Sequence, residues 1–285
     1  MIIEERSRDI GDFLVGRLIP FRKKRMVGPF IFIDHMGPSV IKPSHYMDIG
    51  QHPHIGLSTL TWLFEGEILH RDTLGTVQKV TPGAVGWMTA GRGIVHTERT
   101  PPEQRDGGEY PIHGFQIWVA LPRDLEEMEP EFFHTPAGDL PVWSEDGVTF
   151  TLVAGKGYGR ESPVPVYSDL FMVQARSTKK GVFDTDGKLS GEIGICVVEG
   201  YIEACGERVE QGNMLVSKEQ DTCHLMIGEN THLLLFGGQP FEEERFIYWN
   251  FVASDRERLE AAKQRWADRK FKMVPGETGY VPLPG

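Results

Sequence analysis

Short apolar runs recur along the chain, each closed within a few residues by glycine, proline or aspartate: "GPFIFIDHMGP", "STLTWLFEG", "VGWMTAGRG", "FQIWVALP", "GVTFTLVAG", "IGICVVEG" and "HLLLFGGQP". Periodicity alone does not separate a short buried strand from a turn of buried helix. The Val, Ile, Thr, Phe and Trp content tips the choice to strand. Many short strands punctuated by turn formers predict an all-β sandwich or barrel. One segment breaks the pattern. "SDRERLEAAKQRWADRK", from Ser254 to about Lys270, brings Leu259, Ala262 and Trp266 round at helical spacing. Ser254 is expected to cap this helix, with Glu257 completing a capping box. The Gly- and Pro-rich tail behind it, "VPGETGYVPLPG", is expected to lie extended on the surface.

The pattern also repeats. "FEGEI" (64–68) reads like "VEGYI" (198–202), and each leads to a valine and a second glycine turn, "VTPGAVGWM" (80–88) and "VEQGNMLVS" (209–217). A strand–turn–strand plan used twice predicts two related barrels in tandem. The turn-rich stretch at 134–147 marks the seam. The expected domains are 1–136 and 137–285, the second carrying the helix (about 254–270) and the tail.

Composition narrows the partners. A net charge of −11 argues against nucleic acid, whose phosphates attract basic faces. "RKKR" at 22–25 is expected to be a solvated loop in an acidic chain. "MIIEERSRDI" does not read as a cleavable signal peptide, and no apolar run approaches the ~18 residues of a membrane span. Cys196, Cys205 and Cys223 are an odd, sparse set, more like reduced thiols than a disulfide framework. A cytoplasmic, soluble protein is expected. Two fused barrels can cover each other's edges, so a monomer is expected too.

The chemistry gathers in the first half. In "GQHPHIGLSTLTWLF", His52 and His54 stand at i and i+2, which on a strand aims both to one face. Pro53 between them stiffens the backbone, so less entropy is lost on ordering the pair. In "GRGIVHTERT", His96 and Glu98 form a second such pair after a glycine turn. Two strands with two inward residues each can close a site of three imidazoles and one carboxylate. That donor set suits a first-row divalent metal and leaves two octahedral positions open. A closed tetrahedral zinc site fits the same residues, although structural zinc is usually cysteine-rich. The second half offers a control. The position matching His52 is Asp186, in "DTDGK", with no histidine near it, so the pair is not a requirement of the barrel itself.

Around such a centre, Phe30, Phe32, Met88, Phe115 and Trp118 are candidate apolar walls. Gln116 and His113, in "HGFQIWV", are candidate hydrogen-bonding groups. His70 in "EILHRD" is expected to be a strand residue with a structural hydrogen bond. His224 and His232 lack paired spacing. "GRG" is read as a tight turn rather than a phosphate cradle, because no helix start follows it.

The segments "GPFIFIDHMGP", "HPHIGLSTLTWLFEGEILHRDTLG", "VGWMTAGRGIVHTE", "HGFQIWVALP" and "LLLFGGQPFEEERFIYWNFV" closely resemble the pirin family, densest from Gly28 to Pro122. The resemblance implies two cupin barrels facing each other, with one metal, in the N-terminal barrel only. It implies ligands at His52, His54, His96 and Glu98. The wider cupin pattern places a glutamate about four residues after the histidine pair. Ser58 stands there instead, so Glu98 would supply the carboxylate. Fe(II) is the expected ion, with Cu, Ni, Mn and Zn as alternatives. The implied activity is O2-dependent cleavage of a quercetin-like flavonol, a small aromatic chelator. For such a substrate Glu98 is the candidate general base, and Phe30, Met88, Phe115, Gln116 and Trp118 are the candidate substrate neighbours. The alternative is a non-enzymatic regulatory protein whose binding to a protein partner follows the metal's redox state.

Overall fold

The computed structural model describes residues 1–9, 14–43, 45–204, 206–218 and 224–284. Cys205 and Cys223 lie outside the described residues; Cys196 is a buried thiol. The chain is mostly β, with one α-helix among the described residues near its C-terminal end. No helix among them is long and apolar enough to cross a membrane. The residues divide into two compact units. One contains Met1–Ser7, Gly16–Ile33 and Gly138–Phe241; the other contains Arg8–Val15, Asp34–Ala137 and Glu242–Gly285. The chain therefore passes between units several times, and the helix and tail belong with the histidine pairs.

In the histidine-bearing unit, a four-stranded antiparallel sheet runs in the order Asp48–His54, Ile94–Arg99, Ile68–Asp72 and Val77–Val80. A second sheet contains, in order, Glu131–Thr135, Val85–Thr89, Leu57–Glu65 and Tyr110–Ala120. The strand Leu57–Glu65 is buried over its first seven residues. That explains a run too apolar to alternate: both of its faces are covered. Ser58, Thr59 and Thr61 are the polar exceptions, and all three are buried.

The other unit repeats the plan. Its small sheet runs Gly181–Phe183, Leu225–Ile227, Tyr201–Ala204 and Glu207–Glu210. Its larger sheet runs Ile2–Glu4, Asn213–Lys218, Glu192–Glu199, Thr231–Gly238, Leu170–Ser177, Val148–Gly157 and Val142–Glu145. The sequence repeat is thus a structural one. Ile68 pairs with Val80 as Ile202 pairs with Val209. The turn glycines Gly66 and Gly200 sit at φ +85° and +77°, a region that L side chains rarely adopt. The same register sets Ala204 where the first barrel has His70, and Leu225 where it has Glu98. Both are buried in an apolar core with Phe150, Phe171 and Leu235, so the second barrel is filled by hydrocarbon where the first holds polar groups.

The helix spans Arg256–Ala267 and buries Leu259, Ala262 and Trp266, the face expected from spacing. Its cap differs from expectation. Asp255, not Ser254, accepts the Glu257 amide, at 2.7 Å. Ser254 is bonded instead to the buried Glu126, which takes its N–H at 2.7 Å and its hydroxyl at 3.0 Å. A serine drawn into a tertiary contact is not available to cap, and the next residue serves. The tail is extended and largely exposed, yet tied down. Val281 donates to the Gln51 carbonyl at 2.8 Å, Trp266 Nε1 donates to the Val281 carbonyl at 3.0 Å, and Phe271 and Val274 are buried.

Candidate metal centre

The strands Asp48–His54 and Ile94–Arg99 lie side by side, with His96 opposite His52 and Ile94 opposite His54. Alternation then sends His52, His54 and His96 to one face. One ring nitrogen from each lies within 4.8 Å of those of the other two. Ring centroids are 4.2 Å apart for His52–His96, 5.0 Å for His54–His96 and 5.1 Å for His52–His54. All three are buried. Burial holds the His52 imidazole at about 4, against the hydrogen bond to the Gly50 carbonyl. Burial and the neighbouring rings hold His54 and His96 well below the ordinary value of 6.5. Three rings that resist protonation are in the neutral form a cation requires.

Each ring has its Nδ1 committed. His52 Nδ1 donates to the Gly50 carbonyl at 2.8 Å, and His54 Nδ1 donates to the Asn250 carbonyl at 3.2 Å. A carbonyl only accepts, so both Nε2 atoms carry bare lone pairs. His96 Nδ1 lies 3.3 Å from His70 Nδ1, and His70 Nε2 lies 3.0 Å from Asp72 Oδ2. His96 Nε2 is buried and has no partner. A buried nitrogen with no protein partner, close to two more bare ring nitrogens, is the arrangement a cation site requires. The donor set therefore fits a first-row divalent ion.

Glu98 is outside the group drawn by the three imidazoles, two residues beyond His96 and past an irregularity in the strand register. It is buried, and burial raises its carboxyl to about 7 against the pull of the Thr61 hydroxyl. That hydroxyl lies 3.4 Å from Glu98 Oε1 and 3.0 Å from Gln116 Oε1. Thr61 and Gln116 are direct cross-strand partners. Gln116 Nε2 is buried without a partner. Trp118, two residues on and so on the same face, meets the His54 ring edge-on at 5.0 Å.

The remaining candidates pack elsewhere. Phe115 turns to the opposite face of its strand and stacks on His35 at 4.5 Å, while His35 meets His113 at 2.9 Å. Met88 is the exception: it lies opposite Thr59, which lies opposite Trp118, so it shares the face of Trp118 and Gln116, in an apolar cluster with Ala90 and Ile94. Phe30 belongs to the other compact unit, its ring 5.1 Å from Phe236. Phe32 lies there too, under Arg17. Ser58 is bonded to Thr89 at 3.0 Å.

His70 and Asp72 are the residues that sequence reasoning passed over. Their structural hydrogen bond is present, but it leads to His96. The signal was available: "HRD" is a third i, i+2 pair of potential donors and acceptors on a strand, after "HPH" and "HTE".

Comparison with known proteins gives the family. The pirin family matches residues 13–119, and the pirin C-terminal cupin domain matches residues 172–272. A pirin-like protein of Caulobacter vibrioides is 41% identical, over 100% of this chain and 99% of its own length. Rat pirin is 30% identical, over 92% of this chain and 88% of its own. The crystal structure of quercetin 2,3-dioxygenase from Acinetobacter baumannii superimposes with a TM-score of 0.92 at 34% identity, covering 100% of this chain and 95% of that one.

Proposed function

Because the chain belongs to the pirin family, we propose that it is a metal-dependent dioxygenase that cleaves a quercetin-like flavonol with O2, holding one divalent ion on His52, His54, His96 and Glu98. The observation that carries this reading is the buried, unpartnered His96 Nε2 among three imidazoles whose Nδ1 atoms are all engaged. When bound, the ion supplies Lewis acidity toward a hydroxyl–carbonyl chelate and redox access to dioxygen. Fe(II) is the first candidate, and Cu, Ni, Mn and Zn suit the same donors.

The chain's own residues do the rest. The imidazoles add no charge, so Glu98 provides the single negative donor. Glu98 also takes the proton of the substrate hydroxyl, as general base. The Gln116 carboxamide is anchored at its oxygen by Thr61 and offers its NH2 to a substrate oxygen. The Trp118 indole, braced on His54, gives the aromatic substrate an apolar surface and keeps water from it. Leu225 and Ala204 stand at the positions of the second barrel that correspond to Glu98 and His70.

The test is metal content by elemental analysis, followed by O2 consumption with quercetin on protein loaded separately with each ion. Turnover that requires one of these ions and disappears in His52→Ala supports the proposal. Full metal occupancy with no O2 consumption under any ion overturns the enzyme reading and favours the regulatory alternative. Glu98→Gln that retains both metal and full turnover removes the base role.

A further inference from the structure

The three imidazoles are oriented by two different means. His52 and His54 are held by backbone carbonyls, which accept whatever the surrounding side chains do. His96 is held by another imidazole, whose nitrogen can either donate or accept. Nothing in the His70–His96 contact alone says which nitrogen of His96 carries the hydrogen. If His70 donated, His96 would carry its hydrogen on Nε2, and the face toward His52 and His54 would be capped.

Asp72 removes the ambiguity. Its Oδ1 accepts the backbone N–H groups of Leu74, at 2.8 Å, and Thr76, at 3.1 Å, and its Oδ2 faces His70 Nε2 at 3.0 Å. A carboxylate held that way only accepts, so His70 carries its hydrogen on Nε2 and presents a bare Nδ1. His96 must then donate from Nδ1, which leaves Nε2 bare. The His70, Asp72 and His96 side chains are buried, so the chain between them runs through protein groups. We infer that Asp72 and His70 are positioning residues of the metal centre, setting the tautomer of His96 through a one-way chain of hydrogen bonds and thereby its readiness to bind a cation. The inference rests on reading the triad as a metal centre; the tautomer itself does not.

Asp72→Asn sharpens the argument. The two backbone donors keep the asparagine oxygen at the Oδ1 position, which turns the NH2 toward His70 Nε2. That group must then accept, so His70 moves its hydrogen to Nδ1 and donates to His96 Nδ1. His96 is left with its hydrogen on Nε2. A change of one heavy atom, two bonds away from the ligand ring, inverts the ligand.

The experiment uses the full-length chain labelled with 15N at histidine. Long-range 15N–1H correlation spectra of the metal-free protein near pH 8 identify the tautomer of each ring, and competition titration with Ni(II) gives the affinity. In the unmutated protein His96 is expected in the Nδ1–H form. In Asp72→Asn it is expected in the Nε2–H form, with Ni(II) affinity reduced at least ~10-fold and up to ~100-fold, the range for lost outer-shell partners of metal-bound histidine. Finding His96 as Nε2–H or imidazolium in the unmutated protein overturns the inference, whether or not the variant folds. So does unchanged affinity with an unchanged tautomer in a folded Asp72→Asn. A protein that binds no Ni(II), Fe(II) or other ion fails the proposed function, while the tautomer still decides this inference.

Discussion

The Thr61 hydroxyl lies 3.0 Å from Gln116 Oε1, and that contact determines which end of the carboxamide remains available. With the oxygen engaged, the buried NH2 is the donor without a partner. Gln116→Leu keeps the volume and removes the donor. The expected result is a rise in KM for quercetin of about tenfold, as for one hydrogen bond worth ~1 kcal/mol or slightly more, with metal content unchanged. Steady-state kinetics beside elemental analysis checks both halves of this expectation.

Removing a ligand ring is a heavier change. His54→Ala is expected to lower metal affinity by more than the ~100-fold upper range of outer-shell losses, while the fold is kept. Far-UV circular dichroism and competition titration, run on the same preparation, read the two effects separately.

The metal-free protein has a pH dependence with two opposed parts. Glu98 is raised from 4.5 to about 7 in the folded state, mainly by burial. Its stabilising contribution is therefore complete below pH 4.5 and lost as pH rises through 7. His52 is lowered from 6.5 to about 4, again mainly by burial. Its contribution is present above pH 6.5 and lost as pH falls toward 4; His54 and His96 act in the same direction. Three groups outweigh one, so the urea midpoint is expected to fall on acidification below pH 6.5. Glu98→Gln is expected to raise stability at pH 8, by up to ~3 kcal/mol, and to leave it unchanged at pH 4.5. Equal midpoints for the two proteins at pH 8 would contradict the assignment.

Gln51, adjacent to His52, holds the tail with both ends of its side chain. Its Oε1 accepts the Val274 amide at 2.8 Å, and its Nε2 donates to the Gly279 carbonyl at 2.5 Å. Glu277, between them in sequence, bridges Arg71 at 3.0 Å and Arg99 at 2.7 Å. Gln51→Ala leaves the buried Val274 N–H without its acceptor and is expected to cost about 1–3 kcal/mol. Urea unfolding measures the loss, and limited proteolysis is expected to cut first after the new weak point, within 272–284.

A buried charge pair supports the helix. Arg245 lies 3.4 Å from Glu126, with side-chain exposures of 0% and 2%, and Arg258 also reaches Glu126, at 2.6 Å. Glu126→Ala would remove the buried carboxylate shared by Arg245 and Arg258 and release Ser254. A loss of about 3–5 kcal/mol is expected, visible as a lower denaturation midpoint with an unchanged slope.

What the sequence disclosed, and what it withheld, follows from the range of each interaction. The repeat was legible because Gly66 and Gly200 are needed by local backbone geometry, and local needs leave local residues. The histidine pairs were legible because strand alternation converts i, i+2 spacing into a shared face. The apolar helix stripe was legible for the same reason at a different period. The cap on Asp255 was not, because Ser254 is claimed by Glu126, 128 residues away. Gln116 and Trp118 were named together with Phe115, yet alternation alone sends Phe115 to the other face. His70 looked like one polar residue in a strand. Its connection to His96 depends on which strands are neighbours, and no window of sequence contains that. The placing of Glu242–Gly285 with the first half's site is likewise a product of long-range packing.

The pairing of Ile2–Glu4 with Asn213–Leu215 has a consequence for biosynthesis. The Met1 amino group donates to the Val216 carbonyl, 215 residues further along. At ribosomal speeds of about 5–20 residues per second, the first strand waits roughly 10–40 s for its template to emerge. During that interval the nascent polypeptide must keep an unpaired strand from pairing with other chains, so a chaperone-poor expression host is where aggregated product would accumulate first.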